Sequence, residues 1–315
     1  MKGDPQYQPN PCVPGNQVVG EIIFLGEDVR AEGVLKKGDR IAALTKGFGN
    51  AKYISIAANM AIVIPQSASS ENVVCLVENY MTAYQTLKLA KKGGAPLTNA
   101  NVLITGGSGP VGQALVDLAS REGAKVYTTS HKMHEEHMVQ LGAKCYPIKP
   151  KKWLPILEGK MDVVVDSICV DGYDSSYRAL TPDGILVCTG NMSSTNTNLG
   201  TADSLCHAID PSSMKFWWST MKAKYIWNRS IFYDIRESFE NDPKMFKQEL
   251  LYLICKLEAN EISPKVAGRV SLNQVPKAQR LIEKGLPNGT VICFRKYKRI
   301  CSRKRINICY LFTGL

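Results

Sequence analysis

The stretch Asn101–Ala119, NVLITGGSGPVGQALVDLA, decides the fold. It opens on a compact apolar run, Asn101–Thr105, of the kind found in strands covered on both faces. Three glycines follow at a spacing of three, Gly106, Gly109 and Gly112, and Val111, Ala114, Leu115, Leu118 and Ala119 then share one face of a helix predicted over Val111–Glu122. The spacing gives the three glycines different roles. Gly106 makes the tight turn, Gly109 lets backbone N–H groups close on a pyrophosphate, and Gly112 lets the helix pack against the strand. The helix N-terminus turns its unpaired donors and partial positive charge towards the anion. A glycine triplet by itself is also an ordinary turn; strand, loop, helix and second strand in this order point to a dinucleotide-binding unit.

The second strand, Lys125–Thr129, runs into Thr129-Ser130-His131-Lys132. An acidic residue at that point would accept from the ribose 2′-hydroxyl of NAD. With a hydroxyl and an ammonium there instead of a carboxylate, a 2′-phosphate is favoured, and the cofactor read from the sequence is NADPH. Ser130 also stands where it would be the N-cap of a helix predicted over Lys132–Leu141. His131, His134 and His137 recur every third residue, but no carboxylate or cysteine completes a metal-binding spacing with them, and a solvated helix face is the better account of them.

Strands at Asp162–Asp166 and Gly184–Thr189 continue an alternation of β and α units that begins at about Glu78 and argues for a doubly wound parallel sheet. The residues before it have another pattern: QVVGEIIFLG, DRIAALT and AKYISIAANMAIVIP are short strands punctuated by glycine. After the polar loop Ser193–Asp210 comes an aromatic-rich helical region to about Asn260, then a strand-helix-strand unit from Lys265 to Phe294. Phe216, Trp217, Trp218, Tyr225 and Trp227 suit a substrate cleft, a core or a subunit interface. The fold class is α/β with a second, β-rich domain, and 315 residues suit two domains of ordinary size.

A composition 44% hydrophobic and 21% charged excludes a disordered or collagen-like chain. The net charge of +11 suggests nucleic acid until it is located: seven of those charges lie in Arg295–Arg305, which holds no acidic residue, leaving +4 elsewhere. Ten scattered cysteines lack any C-x-x-C pair, and Cys169 and Cys188 sit inside apolar runs, as free thiols of a reducing compartment do. With neither a signal-peptide core nor an apolar run of ~18 residues, a cytoplasmic protein without a membrane span is expected.

In order along residues 11–294, the blocks VPGNQVVGEI, LKKGDRIAAL, GFGNAKY, MTAYQTL, VLITGGSGPVG, SHK, LGAK, DVVVDSICVDGYDSSYRALTPDGILVCTGN and SPKVAGRVSLNQVPKAQRLIEKGLPNGTVICF resemble the medium-chain dehydrogenase/reductase superfamily, in its zinc-free quinone oxidoreductase and enone reductase branch. The resemblance implies a GroES-like β domain from 1–80 and 265–298, a Rossmann NADPH-binding domain from 81–264, and a basic tail, 299–315, that matches nothing in the family. It implies that Gly106, Gly107, Ser108, Gly109, Pro110, Val111 and Gly112 cradle the pyrophosphate, that Ser130 and Lys132 hold the 2′-phosphate, and that Gly190 and Asn191 pass the ribose and nicotinamide. Thr82 would approach the nicotinamide carboxamide or cap a helix; Tyr84 would touch the nicotinamide region or pack in a core. Asp166 reads as a structural, loop-capping carboxylate.

Zinc-dependent members present a His-Glu pair where this chain has Gly15-Asn16-Gln17, and GFGNAKY fills the region of their four-cysteine loop. Amides are poor zinc ligands beside imidazole and carboxylate, so no metal is expected. Members also carry opening strands before the VPG block, which here is preceded by MKGDPQYQPNPC alone, and a sheet edge without partners is expected as a result. The activity implied is hydride transfer from NADPH to a small hydrophobic quinone or α,β-unsaturated carbonyl, in a homodimer. The alternative is a catalytically weak cofactor-binding protein that acts as an interaction or RNA-binding module through its basic run, although the charge distribution makes nucleic acid a poor main partner.

Overall fold

A computed structural model describes residues 13–45, 47–91, 95–189, 218 and 221–294, and the backbone of 309–312. Gly190, Asn191, Phe216, Trp217 and Arg295–Arg305 lie outside the described residues. By contact the chain divides into Thr82–Ile235 and a second set, Gln6–Met81 with Arg236–Gly314.

The second set begins with β1 (Gln17–Glu21), α1 (Glu27–Glu32), β2 (Arg40–Leu44), the two-residue β3 (Ile62–Val63) and α2 (Ser70–Cys75). The strands are shorter than the sequence pattern suggests. The segment before β3 is loop ending in a 3₁₀ turn, Ala58–Met60, and α1 has no buried residue, so no apolar period announces it. From α2 the chain stays helical through a π-turn, Leu76–Tyr80, into α3 (Met81–Ala90). Gln17 pins the π-turn, its Nε2 donating to Glu78 Oε2 (2.8 Å) and its Oε1 accepting from the Glu78 N–H (3.0 Å).

In Thr82–Ile235 the elements follow as β4 (Asn101–Thr105), α4 (Pro110–Arg121), β5 (Lys125–Ser130), α5 (Glu135–Gln140), β6 (Ala143–Pro147), α6 (Pro150–Leu157), β7 (Met161–Asp166), α7 (Asp174–Arg178), β8 (Leu180–Cys188) and β9 (Ser230–Phe232). The strands pair in the order β6-β5-β4-β7-β8-β9, every pair parallel. Numbered from β4, that order is 3-2-1-4-5-6, the doubly wound arrangement of dinucleotide-binding sheets, and it reverses direction beside β4. Val102, Leu103, Ile104, Val164, Val165, Leu186 and Val187 are wholly buried, which explains why these strands read as unbroken apolar runs. Trp153, Leu154 and Leu157 of α6 complete a core against Val164, Leu180 and Leu186.

The second set resumes with α8 (Ile235–Asn241), α9 (Pro243–Glu258), β10 (Val266–Ser271), α10 (Val275–Glu283), β11 (Thr290–Phe294) and β12 (Cys309–Phe312). The sequence reading groups 236–264 with the parallel sheet; by contact they fall in the second set, where the buried Phe246, Leu250, Leu253 and Ile254 line α9 and that helix meets the π-turn. The sheet order is β10-β11-β12-β1-β2-β3, antiparallel except for β10 and β11, which are parallel as a strand-helix-strand unit requires. β1 therefore has a partner on both sides, β2 and β12, and the unpaired edge expected from the short start is filled at this strand by the chain's own C-terminal segment. Among the described residues no helix is long and apolar enough to cross a membrane.

Candidate functional site

The loop after β4 lies at the reversal point of the parallel sheet, where such sheets bind ligands. Gly106 takes a φ of +71°, and a Cβ there would come within 2.6 Å of the Ile168 side chain. Gly107 has no room for a side chain against Thr128 of β5, and a Cβ on Gly112 would strike the Gly106 carbonyl and come 2.7 Å from the Gly107 Cα. Gly112 thus seats the helix on the loop itself rather than on β4. Gly109, the N-cap of α4, would meet only the Gly106 carbonyl, at 3.4 Å.

Two threonines of β5 hold this loop. The Gly106 N–H donates to Thr129 Oγ1 and the Gly107 N–H to the Thr129 carbonyl, both at 3.0 Å, while Thr128 Oγ1 donates to the Ile104 carbonyl at 2.8 Å. Gly109 donates back to the Gly106 carbonyl (3.0 Å), Pro110 has no N–H, and Gln113 already donates to Gly109 (2.8 Å). The first turn of α4 is left with the N–H groups of Val111 and Gly112 facing outward from the helix end. A cradle that excludes side chains and ends in free donors fits a pyrophosphate.

Asp166 closes the neighbouring strand. Its Oδ1 accepts from Thr105 Oγ1 (2.6 Å) and from the N–H groups of Ile168 and Cys169 (both 2.9 Å), and its Oδ2 accepts from Ser176 Oγ (2.6 Å). At 3% exposure and with these bonds made, it is a loop-capping carboxylate. Asp166→Asn turns one accepting oxygen into a donor facing another donor and should cost about 2–3 kcal/mol of stability, read as a lowered urea midpoint at unchanged slope.

Ser130 ends β5 at 4% exposure, with Oγ donating to the His131 carbonyl (3.2 Å) and lying 3.9 Å from Cys145 Sγ. It is not a helix cap: His131 holds that position before a 3₁₀ turn, Lys132–His134, because the helix predicted from Lys132 starts only at Glu135. Lys132 is exposed on that turn. Thr82 also does not cap a helix, since it lies two residues past the π-turn in an unbroken helical run, buried at 6% exposure; Tyr84 is half-buried. The aromatic cluster divides: Trp227 stacks on Tyr177 with centroids 4.1 Å apart, while Trp218 and Tyr225 are exposed. Among the described residues no three His, Cys, Asp or Glu side chains group as metal ligands.

No family model matches the chain. Among curated proteins it is 35% identical over 135 residues to a quinone oxidoreductase-like protein 2 homolog of Nematostella vectensis, covering 42% of this chain and 35% of that one. It is 31% identical over 171 residues to 2-methylene-furan-3-one reductase of Solanum lycopersicum, covering 51% and 42%. The matched stretches span less than half the length of these relatives. Among solved structures, the JamJ enoyl reductase superposes with a TM-score of 0.71 at 20% identity, over 89% of this chain and 78% of that one. A mycobacterial protein in complex with NADPH superposes with a TM-score of 0.70 at 20% identity, over 91% and 84%. Over the matched stretches the chain is thus similar to quinone oxidoreductase-like and enone reductase proteins, and it shares the fold of solved enoyl reductases. The parallel sheet is Rossmann-like and the mostly antiparallel sheet GroES-like.

The dinucleotide-binding pattern accounts for the glycine spacing and leaves the support of this loop to its own residues. Gly107, Thr128 and Thr129 show no structural role in the sequence, because their contacts run between strands. The one signal available is the pair of threonines closing a strand beside a glycine loop, where β5 would otherwise continue its apolar run.

Proposed function

We propose that the chain is an NADPH-dependent, zinc-independent reductase of quinones or α,β-unsaturated carbonyl compounds. The observation that carries the reading is the side-chain-free cradle before α4, with the exposed Lys132 beyond β5 where a carboxylate would select NAD. When bound, NADPH supplies a hydride. The N–H groups of Val111 and Gly112 receive the pyrophosphate, and Lys132 neutralises the 2′-phosphate beside Ser130, whose own hydroxyl is turned inward. Thr82 and Tyr84 serve the nicotinamide end, as do Gly190 and Asn191. A hydride and a proton from solvent together convert a quinone to its hydroquinone, or saturate the carbon–carbon double bond of an enone. Asn16 and Gln17 support the zinc-free reading, because amides ligate zinc poorly and that of Gln17 is already paired with Glu78.

The same proposal has the chain working as a cytoplasmic homodimer. Cys75, Cys169, Cys188 and Cys293 are buried and in no disulfide, which suits a reducing compartment, and β9 ends the parallel sheet as an edge that a second copy would extend.

Loss of NADPH absorbance with a panel of quinones and enals tests the chemistry; absence of turnover with every one of them, despite tight NADPH binding, would leave a cofactor-binding module instead of a reductase. Lys132→Ala should weaken NADPH roughly ten- to a hundredfold and leave NADH within about twofold, as measured by fluorescence titration, since only the phosphate contact is lost.

A further inference from the structure

Within Thr82–Ile235 a line of hydrogen bonds runs along the carboxyl edge of the parallel sheet. It starts beside the glycine loop, where Thr105 Oγ1 donates to Asp166 Oδ1 at 2.6 Å. The Asp166 carbonyl accepts from the N–H of Thr189, just past β8, at 3.0 Å. The Cys188 carbonyl, at the end of β8, accepts from the N–H of Tyr233, just past β9, at 2.9 Å. The last link leaves the sheet: Tyr233 Oη donates to Gln85 Oε1 of α3 at 2.5 Å. Gln85 is 7% exposed and Tyr233 is half-buried. The links between strand ends follow from the pairing β4-β7-β8-β9. No strand pairing calls for the last one, which joins a hydroxyl to an amide 148 positions away.

A dinucleotide lies across this edge, its pyrophosphate at the glycine loop. Under the proposed function Ser130 and Lys132 take the 2′-phosphate on β5, so the adenosine half lies on that side of β4 and the nicotinamide half on the side of β7, β8 and β9. The segments assigned to the nicotinamide end are Thr82 on α3 and Gly190 with Asn191 after β8. Tyr233 ties these two together. Gln85 is three residues past Thr82, one turn along the same helix face, and Cys188 is two residues before Gly190.

We infer that Tyr233 is a positioning residue for the nicotinamide half of the cofactor: by holding Gln85 it fixes the first turn of α3, and with it Thr82, against the end of β8. The inference rests on the reductase reading and deepens it. A bond between a hydroxyl and an amide sets direction without adding a charge near a ring that becomes cationic on giving up a hydride.

Fluorescence titration of the full chain with NADPH, and displacement by 2′,5′-ADP, which has the 2′-phosphate and no nicotinamide, test the role. Tyr233→Phe removes one oxygen and keeps the ring. It should weaken NADPH about five- to tenfold and leave 2′,5′-ADP within about twofold. Thr82→Val should weaken NADPH to a similar extent, and adding Tyr233→Phe to it should cost less than about twofold more, because both changes act on one contact. A purely structural bond would move both ligands alike or neither. Unchanged NADPH affinity in Tyr233→Phe, equal loss of both ligands, or full additivity with Thr82→Val overturns the proposal. If the double variant does not fold, the two ligands compared on Tyr233→Phe still decide. Selective loss of NADPH in a chain that turns over no quinone or enal upholds the positioning role and removes the reductase reading; turnover with Tyr233→Phe unchanged towards NADPH does the reverse. An unaltered chain that binds neither ligand overturns both.

Discussion

Gly112→Ala should reduce NADPH affinity by roughly a hundredfold or more and lower the thermal midpoint of the chain. The new Cβ has nowhere to go: it strikes the Gly106 carbonyl and lies 2.7 Å from the Gly107 Cα, and both are backbone atoms. Backbone does not rotate aside, so either the loop or the first turn of α4 must move. Gly106 and Gly107 are bonded to Thr129, which makes the helix end the part that gives. That displaces the Val111 and Gly112 N–H groups, and two charge-assisted bonds to an anion are each worth about 1.5–3 kcal/mol. Gly109→Ala is the contrast. Its Cβ would meet only one atom, at 3.4 Å, so the fold should keep its midpoint while the methyl intrudes on the ligand side and weakens NADPH. Fluorescence titration beside thermal melts of both variants separates the two effects; equal NADPH affinity of Gly112→Ala and the unaltered chain would sink the assignment of this loop.

The glycines are legible because each is demanded by local backbone geometry, which spacing alone conveys. Thr128 and Thr129 are not: their contacts reach from β5 to the loop after β4, and pairing between strands leaves no trace in the run of either one. Burial explains the same contrast at the level of elements. β4 and β7 are covered on both faces and read as solid apolar runs, so their bounds follow from the sequence within a residue. β6, AKCYP, lies at the sheet edge with only Ala143 and Tyr146 buried, and β9 has three residues; neither has enough apolar signal to stand out. Ser130 reads two ways because a hydroxyl at a strand end suits both a cap and an anion, and its inward bond to the His131 carbonyl fits neither. Asn16 stands out in the sequence only as a failed zinc ligand. That it is buried at 8% exposure is a fact of tertiary contact, which its neighbours in sequence do not convey.

β12 is the least legible element, and removing it should have the largest effect on stability. ICYLF follows a basic run and resembles nothing in the family, yet Val18 and Val19 pair with Tyr310 and Cys309 on one side, and Val291, Ile292, Cys293 and Phe294 with Phe312, Leu311, Tyr310 and Cys309 on the other. A strand in the interior of a sheet serves two ladders at once. Deleting 309–315 therefore opens two edges, β1 and β11, whose Val19, Ile292 and Cys293 are wholly buried, and leaves the sheet as a pair and a trio of strands. Two-stranded remnants are marginal in water, and unpaired inner edges invite association between chains. The loss should exceed about 5 kcal/mol, comparable with the whole stability of a domain, and appear as aggregation or as loss of the cooperative melt. Tyr310→Pro, which removes one N–H from the same ladder, should give a smaller drop in a chain that still folds. Hydrogen exchange at the Val18, Val19 and Ile292 amides locates the effect. Protection there unchanged in the truncated chain would place β12 outside the sheet, and β1 would then have β2 as its one partner.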